Sequence, residues 1–232
     1  MITKKTKQIQ SSDISNGLVL LIDKGKSKTS FNIIGEVRKK LGIRKVGHAG
    51  TLDPMATGLL IVCAGKKTKE IYKYQDMPKI YEGTITLGAS TPSMDAETDP
   101  IDSKPFSGIS RESIEETKNS FIGEIEQIPP MYSALKHRGK ALYKYAREGV
   151  TIERKPRSVI VYDFNISEVR LPFISFKIKC SKGTYIRVIA DDFGKKLGCG
   201  GFLSELRRAQ IGEYNVNDAL TVDELKSIEI IE

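Results

Sequence analysis

The 232-residue chain has only two histidines, His48 and His137, and three cysteines, Cys63, Cys180 and Cys199. The cysteines are odd in number, far apart and free of CxxC spacing. This argues against a disulfide framework or a zinc knuckle and points to a reducing compartment, the cytoplasm. Two histidines leave no His-rich metal site. Long apolar runs are missing too: the longest, residues 17–22 and 58–64, fall far short of the roughly 20 residues of a membrane helix. The opening MITKKTKQIQSSDISN has no apolar h-region, so no secretory signal is expected. No P-loop, no G-x-G-x-x-G fingerprint, no internal repeat and no low-complexity linker occurs.

What is present is the composition of a soluble globular protein, 39% apolar and 28% charged, long enough for one large domain or two small ones. The net charge of +8 is unevenly placed. Residues 1–50 hold eleven Lys/Arg against three acids, and the remaining chain sums to zero. A basic excess of this kind suits a polyanionic partner, nucleic acid first, or simply a solvated surface. Residues 136–157 add a second basic stretch, eight Lys/Arg against two acids, interleaved with Tyr143 and Tyr145. Such a stretch suits an RNA backbone. Residues 90–126 are the acidic region, expected to face away from phosphate.

Patterning predicts a flexible basic tail over 1–16 and a folded domain over 17–232. Buried strands are expected at 17–23 and 59–65. Between them, Ser30 is expected to cap a helix with Phe31, Ile34, Val37 and Leu41 on one face and Gly42 as its stop. Alternation predicts strands at 79–88, 159–169 and 173–180, and a last strand at 209–216. Helices are expected at 68–74, 110–121, 141–148 and after Gly183. Thr221 with Glu224 predicts a capping box for a final helix. Strands and helices are interspersed without a regular βαβ period. This predicts an α+β fold with a central mixed or largely antiparallel sheet, flanked by helices and loops.

One loop carries chemistry: G47-H48-A49-G50-T51-L52-D53-P54. Glycines allow close backbone approach to a ligand, and a carboxylate on a stiff loop between ordered elements suits a nucleophile, a base or a metal ligand. On local pattern alone, Asp53-Pro54 also reads as a plain turn.

GHAGTLDPMATGLL resembles the signature loop of the TruB-type tRNA pseudouridine-55 synthases. Four further segments resemble the same family in the same order: L-I-D-K24 with T29-S30; K79-I-Y81-E-G-T-I-T-L-G; Q127-I-P-P-M-Y-S-A-L-K136-H-R-G continuing to Y143-K-Y-A-R-E-G; and C180-S-K-G-T-Y-I-R187 followed by L203-S-E-L206-R-R. The resemblance implies the pseudouridine synthase fold. It also implies an isomerase that breaks the bond from ribose C1′ to uracil N1 and rejoins C1′ to C5, with no cofactor and no metal. Its partner is the T stem-loop of tRNA, modified at position 55. No obligatory protein partner, no membrane and a monomeric state are expected.

The resemblance assigns roles residue by residue. Asp53 matches the family's nucleophile. Arg187 matches the arginine that pairs with it, and Tyr81 the active-site tyrosine. Leu206 matches an apolar residue lining the base pocket, and His48 the histidine that fills the place of the flipped uridine. Lys24 matches a lysine facing the substrate, and Lys136 and Arg138 lie in the stretch expected to hold the RNA. Three positions depart from the pattern. Gly25 and Ser27 stand where the family has proline and glycine, and Pro92 stands where it has an acid. Residues after Tyr214 leave no room for a complete C-terminal RNA-binding domain of the PUA kind. Two other readings compete: a guide-RNA-dependent synthase, and a tRNA-binding or RNA-folding protein with a vestigial site.

Overall fold

The computed structural model describes residues 1–232, which divide into two compact units: Met1–Glu82 with Leu206–Glu232, and Gly83–Glu205. The first unit begins with β1 (Gln8–Gln10), α1 (Ser11–Asn16), β2 (Val19–Lys24), α2 (Ser30–Leu41), β3 (Val46–His48), β4 (Thr57–Ala64), α3 (Ile71–Gln75) and the start of β5 (Lys79–Leu87). The second unit holds the rest of β5, then α4 (Arg111–Asn119), β6 (Gly123–Gln127), β7 (Lys136–His137), β8 (Lys140–Ala141), α5 (Leu142–Arg147), β9 (Arg157–Arg170), β10 (Phe173–Cys180), α6 (Ile186–Lys196) and the first half of β11 (Gly201–Ile211). β11 returns the chain to the first unit, which closes with β12 (Tyr214–Asn215), α7 (Val222–Ser227) and β13 (Glu229–Ile231). The fold is α+β with a mixed sheet flanked by helices, as the patterning predicts.

In the first unit, β2 and β3 pair antiparallel with β4, and β11 pairs parallel with it, Arg208 opposite Gly58. Residues 19–22 of β2 and 59–64 of β4 are apolar without a break because both of their faces are covered. Leu20, Ile22, Leu60 and Val62 pack with Ile33, Ile34 and Val37 of α2 and Leu225 of α7. Val19, Leu21, Leu59 and Ile61 pack with Tyr74, Ile211 and Val216. A continuous apolar run is what burial on both faces requires, just as one-sided burial requires alternation.

Two local expectations differ from the structure. Thr29, not Ser30, caps α2: its hydroxyl accepts from the Asn32 N–H, and the Asn32 side chain accepts from the Thr29 N–H. This frees the Ser30 hydroxyl for the Asp53 loop. Ile33 rather than Phe31 joins Ile34, Val37 and Leu41 in the core, and Phe31 lies 71% exposed beneath the Arg38 guanidinium. The Gly42 stop and the Thr221–Glu224 capping box form as expected.

The segment over 1–16 is also not a free tail. β1 runs parallel to β13, with Ile9 opposite Ile230. Ile2 and Ile9 sink into the same core as α2 and α7. Full burial of an isoleucine side chain contributes about 1.5–3 kcal/mol, and the strand that receives this segment lies at the other end of the sequence. The charge count of the segment hides both isoleucines.

In the second unit, β10 pairs antiparallel with β9, and β9 with β6. Ile174, Phe176, Ile178 and Cys180 of β10 are buried, while Lys177 and Lys179 are exposed. Phe121, Phe164, Phe176 and Phe193 form an aromatic cluster with centroid separations of 6.0–6.4 Å. β7 and β8 form a two-residue hairpin through Arg138 (φ 49°) and Gly139 (φ 82°), and α5 follows it. No helix of the structure is long and apolar enough to cross a membrane.

Candidate active site

Every residue from 49 to 54 of the Asp53 loop is tied down through its backbone within the first unit. The Ala49 N–H donates to the Ile61 carbonyl at 2.9 Å. The Gly50 and Thr51 carbonyls accept from Nη2 and Nη1 of Arg208 at 3.1 and 3.5 Å. The Ser30 hydroxyl accepts from the Leu52 N–H at 2.9 Å and lies 3.2 Å from the Leu52 carbonyl. The Asp53 carbonyl accepts from the Ala56 N–H at 3.1 Å. The Pro54 carbonyl accepts from the Ser27 N–H at 2.9 Å and from Lys24 Nζ at 3.3 Å. The loop is therefore fixed by partners from β2, the turn after it, α2, β4 and β11. In this loop Leu52 is buried and Asp53 is partly exposed. A carboxylate whose backbone is held on both sides is preorganised for chemistry, since little ordering remains when substrate arrives.

Lys24 is an anchor of the loop. It is fully buried, and its ammonium also donates to the Gly25 carbonyl at 3.1 Å and the Lys28 carbonyl at 2.6 Å. Its charge is met by main-chain oxygens of the opening turn and the Asp53 loop. Through these bonds it holds the opening turn against the Asp53 loop. The departures at Gly25 and Ser27 are tolerated around it. Ser27 takes φ 63°, the left-handed conformation for which the family's glycine is suited.

His48 pairs with Val62 at the end of β3. Its imidazole is held below the usual range, first by burial and then by the Arg208 guanidinium, against a contact with the Gly50 backbone. Both effects favour the neutral ring. Tyr81 is 9% exposed on β5, and Leu206, also 9% exposed, opens the return of the chain into the first unit.

Arg187 belongs to the second unit, in the first turn of α6, and is 4% exposed. Its Nη1 donates to Oδ2 of Asp95 at 3.0 Å. Asp95 is itself fully buried, and its Oδ1 accepts from the Ser93 hydroxyl at 2.6 Å and the Glu97 N–H at 3.0 Å. Pro92 disturbs none of these bonds. The neighbouring Tyr185 is clamped through its main chain by Gln127, at 2.9 and 3.1 Å, and carries the Arg157 guanidinium over its ring. Lys136 and Arg138 are exposed on the β7–β8 hairpin. No group of three His, Cys, Asp or Glu side chains converges to hold a metal ion.

Sequence reasoning gave no role to Arg208 or Gln127, and gave the Ser30 hydroxyl to the helix cap and not to the Asp53 loop. All three lie inside the segments that carry the family resemblance, but their partners are 22 to 158 residues away in sequence, and nothing local announces such pairs.

The family model for the N-terminal domain of TruB family pseudouridylate synthases matches residues 38–186, and that for the C-terminal domain of tRNA pseudouridylate synthase B matches residues 187–231. The tRNA pseudouridine synthase B of Chloroherpeton thalassium is 47% identical over 215 residues, covering 90% of this chain and 89% of the relative. That of Chlorobium chlorochromatii is 49% identical over 213 residues, covering 90% and 84%. Among solved structures, a chain from a Cbf5–Nop10–Gar1 complex superposes with TM-score 0.71 at 27% identity, covering 96% of this chain and 58% of that one.

Proposed function

Because the chain belongs to the TruB family of pseudouridylate synthases, we propose that it converts the uridine at position 55, in the T loop of tRNA, to pseudouridine. The observation that carries this reading is the Asp53 loop, whose backbone is anchored residue by residue while Asp53 itself is only partly buried. The enzyme is a tRNA pseudouridine synthase, an isomerase.

In the proposed reaction the target uridine leaves the T-loop stack, which costs a few kcal/mol, and neutral His48 fills the vacated space by stacking. Asp53 acts as the nucleophile toward the electron-poor ribose carbon as the N1–C1′ bond breaks. The base turns, C5 bonds to C1′ as the Asp53 carboxylate leaves it, the proton on C5 is lost, and N1 takes up a proton. Tyr81 stacks on the uracil, Leu206 lines its pocket, and Arg187 orients the Asp53 carboxylate. The placing of Arg187 against Asp53 rests on the family resemblance; within its own unit Arg187 bonds to Asp95. Lys136 and Arg138 contact the RNA backbone. The chemistry is isomerisation at one nucleoside and calls for no cofactor. The protein works as a monomer in the cytoplasm without an obligatory protein partner.

The test is incubation with an unmodified tRNA transcript, with and without EDTA, followed by mapping of pseudouridine. One pseudouridine at position 55 in both arms is expected. Modification elsewhere would overturn the site, and loss with EDTA the cofactor-free reading. Asp53→Asn should abolish turnover and leave tRNA binding intact. Binding without any modification by the parent protein would instead favour an RNA-binding protein with a vestigial site.

A further inference from the structure

We infer that Arg208 is a positioning residue for the isomerisation, its buried guanidinium setting the first half of the Asp53 loop and thereby the place of the carboxylate. This rests on the reading of Asp53 as the reacting group. Arg208 is 1% exposed and one of the largest fully buried side chains in the protein. Its guanidinium bonds only to main-chain oxygens: Nε to Leu59 at 2.7 Å, Nη2 to Gly50 at 3.1 Å and Nη1 to Thr51 at 3.5 Å. Leu59 belongs to β4, the strand that leaves the loop. Gly50 and Thr51 are the third and second residues before Asp53. One planar fork thus fixes the loop against the strand beside it, a task that lysine's single ammonium cannot reproduce.

The chain is shaped to bring Arg208 there. Arg208 pairs with Gly58 across β11 and β4, and a Cβ on Gly58 would lie 2.4 Å from the Arg208 carbonyl oxygen. Only a glycine at 58, with φ 105°, lets the two backbones come this close. The same guanidinium helps keep His48 neutral, a second effect on a residue of the same loop.

Arg208 differs from the other anchors in where it comes from. Ser30 and Lys24 hold Leu52 and Pro54 from elements that precede the loop, whereas Arg208 arrives on β11 and holds Gly50 and Thr51 together. Removing it leaves the second half of the loop anchored. The expected result is a displaced carboxylate on a folded protein, and a misplacement of about 1 Å can lower a rate about 100-fold.

The experiment measures single-turnover pseudouridine formation at saturating unmodified tRNA, tRNA Kd and thermal midpoint for Arg208→Lys, Arg208→Ala and Asp53→Asn. Both Arg208 variants should lose about 10- to 100-fold in rate with Kd within about twofold of the parent. Millimolar guanidinium should restore several-fold in Arg208→Ala, and nothing in Asp53→Asn. If Arg208→Ala does not fold, Arg208→Lys decides: a rate loss at parental Kd supports the assignment. A parental rate in Arg208→Lys and in any folded Arg208→Ala overturns it. So does a loss that guanidinium leaves unrescued and that a weaker Kd accounts for. Substantial turnover by Asp53→Asn would instead overturn the nucleophile reading, whatever the Arg208 variants show.

Discussion

Arg187 and Asp95 form an ion pair at 3.0 Å in which both side chains are withdrawn from water, at 4% and 0% exposure. The second oxygen of Asp95 is also taken, by the Ser93 hydroxyl and the Glu97 N–H. A buried pair gains little net stability against apolar replacements, but removing one partner strands the other charge.

Asp95→Ala should therefore lower stability by about 3–5 kcal/mol and depress turnover through Arg187. Asp95→Asn, which keeps an acceptor for Ser93 and Glu97, should lose less. Urea denaturation of both variants checks this. An unchanged midpoint for Asp95→Ala would remove the pair from the stability of the second unit.

Ser27 occupies the left-handed region at φ 63°. That conformation costs a non-glycine residue about 1–2 kcal/mol, against about 0.5–1 kcal/mol of extra chain entropy lost by glycine on folding. Ser27→Gly should raise stability by about 0.5–1 kcal/mol and leave turnover unchanged. The measurement is the shift in thermal midpoint, and a fall in midpoint contradicts the strain argument.

Arg138 also carries a positive φ, 49°, ahead of Gly139 at 82°, so the hairpin tip has the turn geometry that favours Asn-Gly. Arg138→Asn should leave the fold as stable or slightly more so while weakening tRNA binding. Combined with Lys136→Gln, it should reduce the slope of log Kd against log salt by about 0.7–0.9 for each phosphate no longer neutralised. A salt titration with parental slope would place the RNA elsewhere.

His48 titrates lower in the folded protein than in the unfolded chain. Below its ordinary pKa of about 6.5, the unfolded state therefore binds more protons than the folded one. Stability should fall as pH drops through that range and recover as pH rises. His48→Asn should flatten this part of the profile. Thermal midpoints between about pH 5 and 8 for the two proteins test it; parallel profiles would show that His48 contributes nothing to the dependence.

Much of the fold was legible because its signals are local. The alternation of Ile174, Phe176, Ile178 and Cys180 is the pleat of β10 with one face covered. Gly42 ends α2 through its own backbone geometry, and Thr221 meets Glu224 three residues on. Periodicity was weaker at telling which of two nearby residues turns inward. Phe31 and Ile33 both fit a helical stripe, and the neighbouring strands selected Ile33.

The sequence by itself determined many of the strands and helices, the α+β class and the family, because each depends on residues a few positions apart or on segments read in order; the short strands at 8–10 and 229–231, which exist only as each other's partners, were not among them. The tertiary structure alone decided the partners. Ile9 docks beside a strand more than two hundred residues later, Lys24 is turned inward to three carbonyls, and Arg208 reaches back to Gly50 and Thr51. A cation in a sequence reads as a surface charge. Only the fold shows that carbonyl dipoles surround it, and a buried cation persists only where such partners replace the water it has lost.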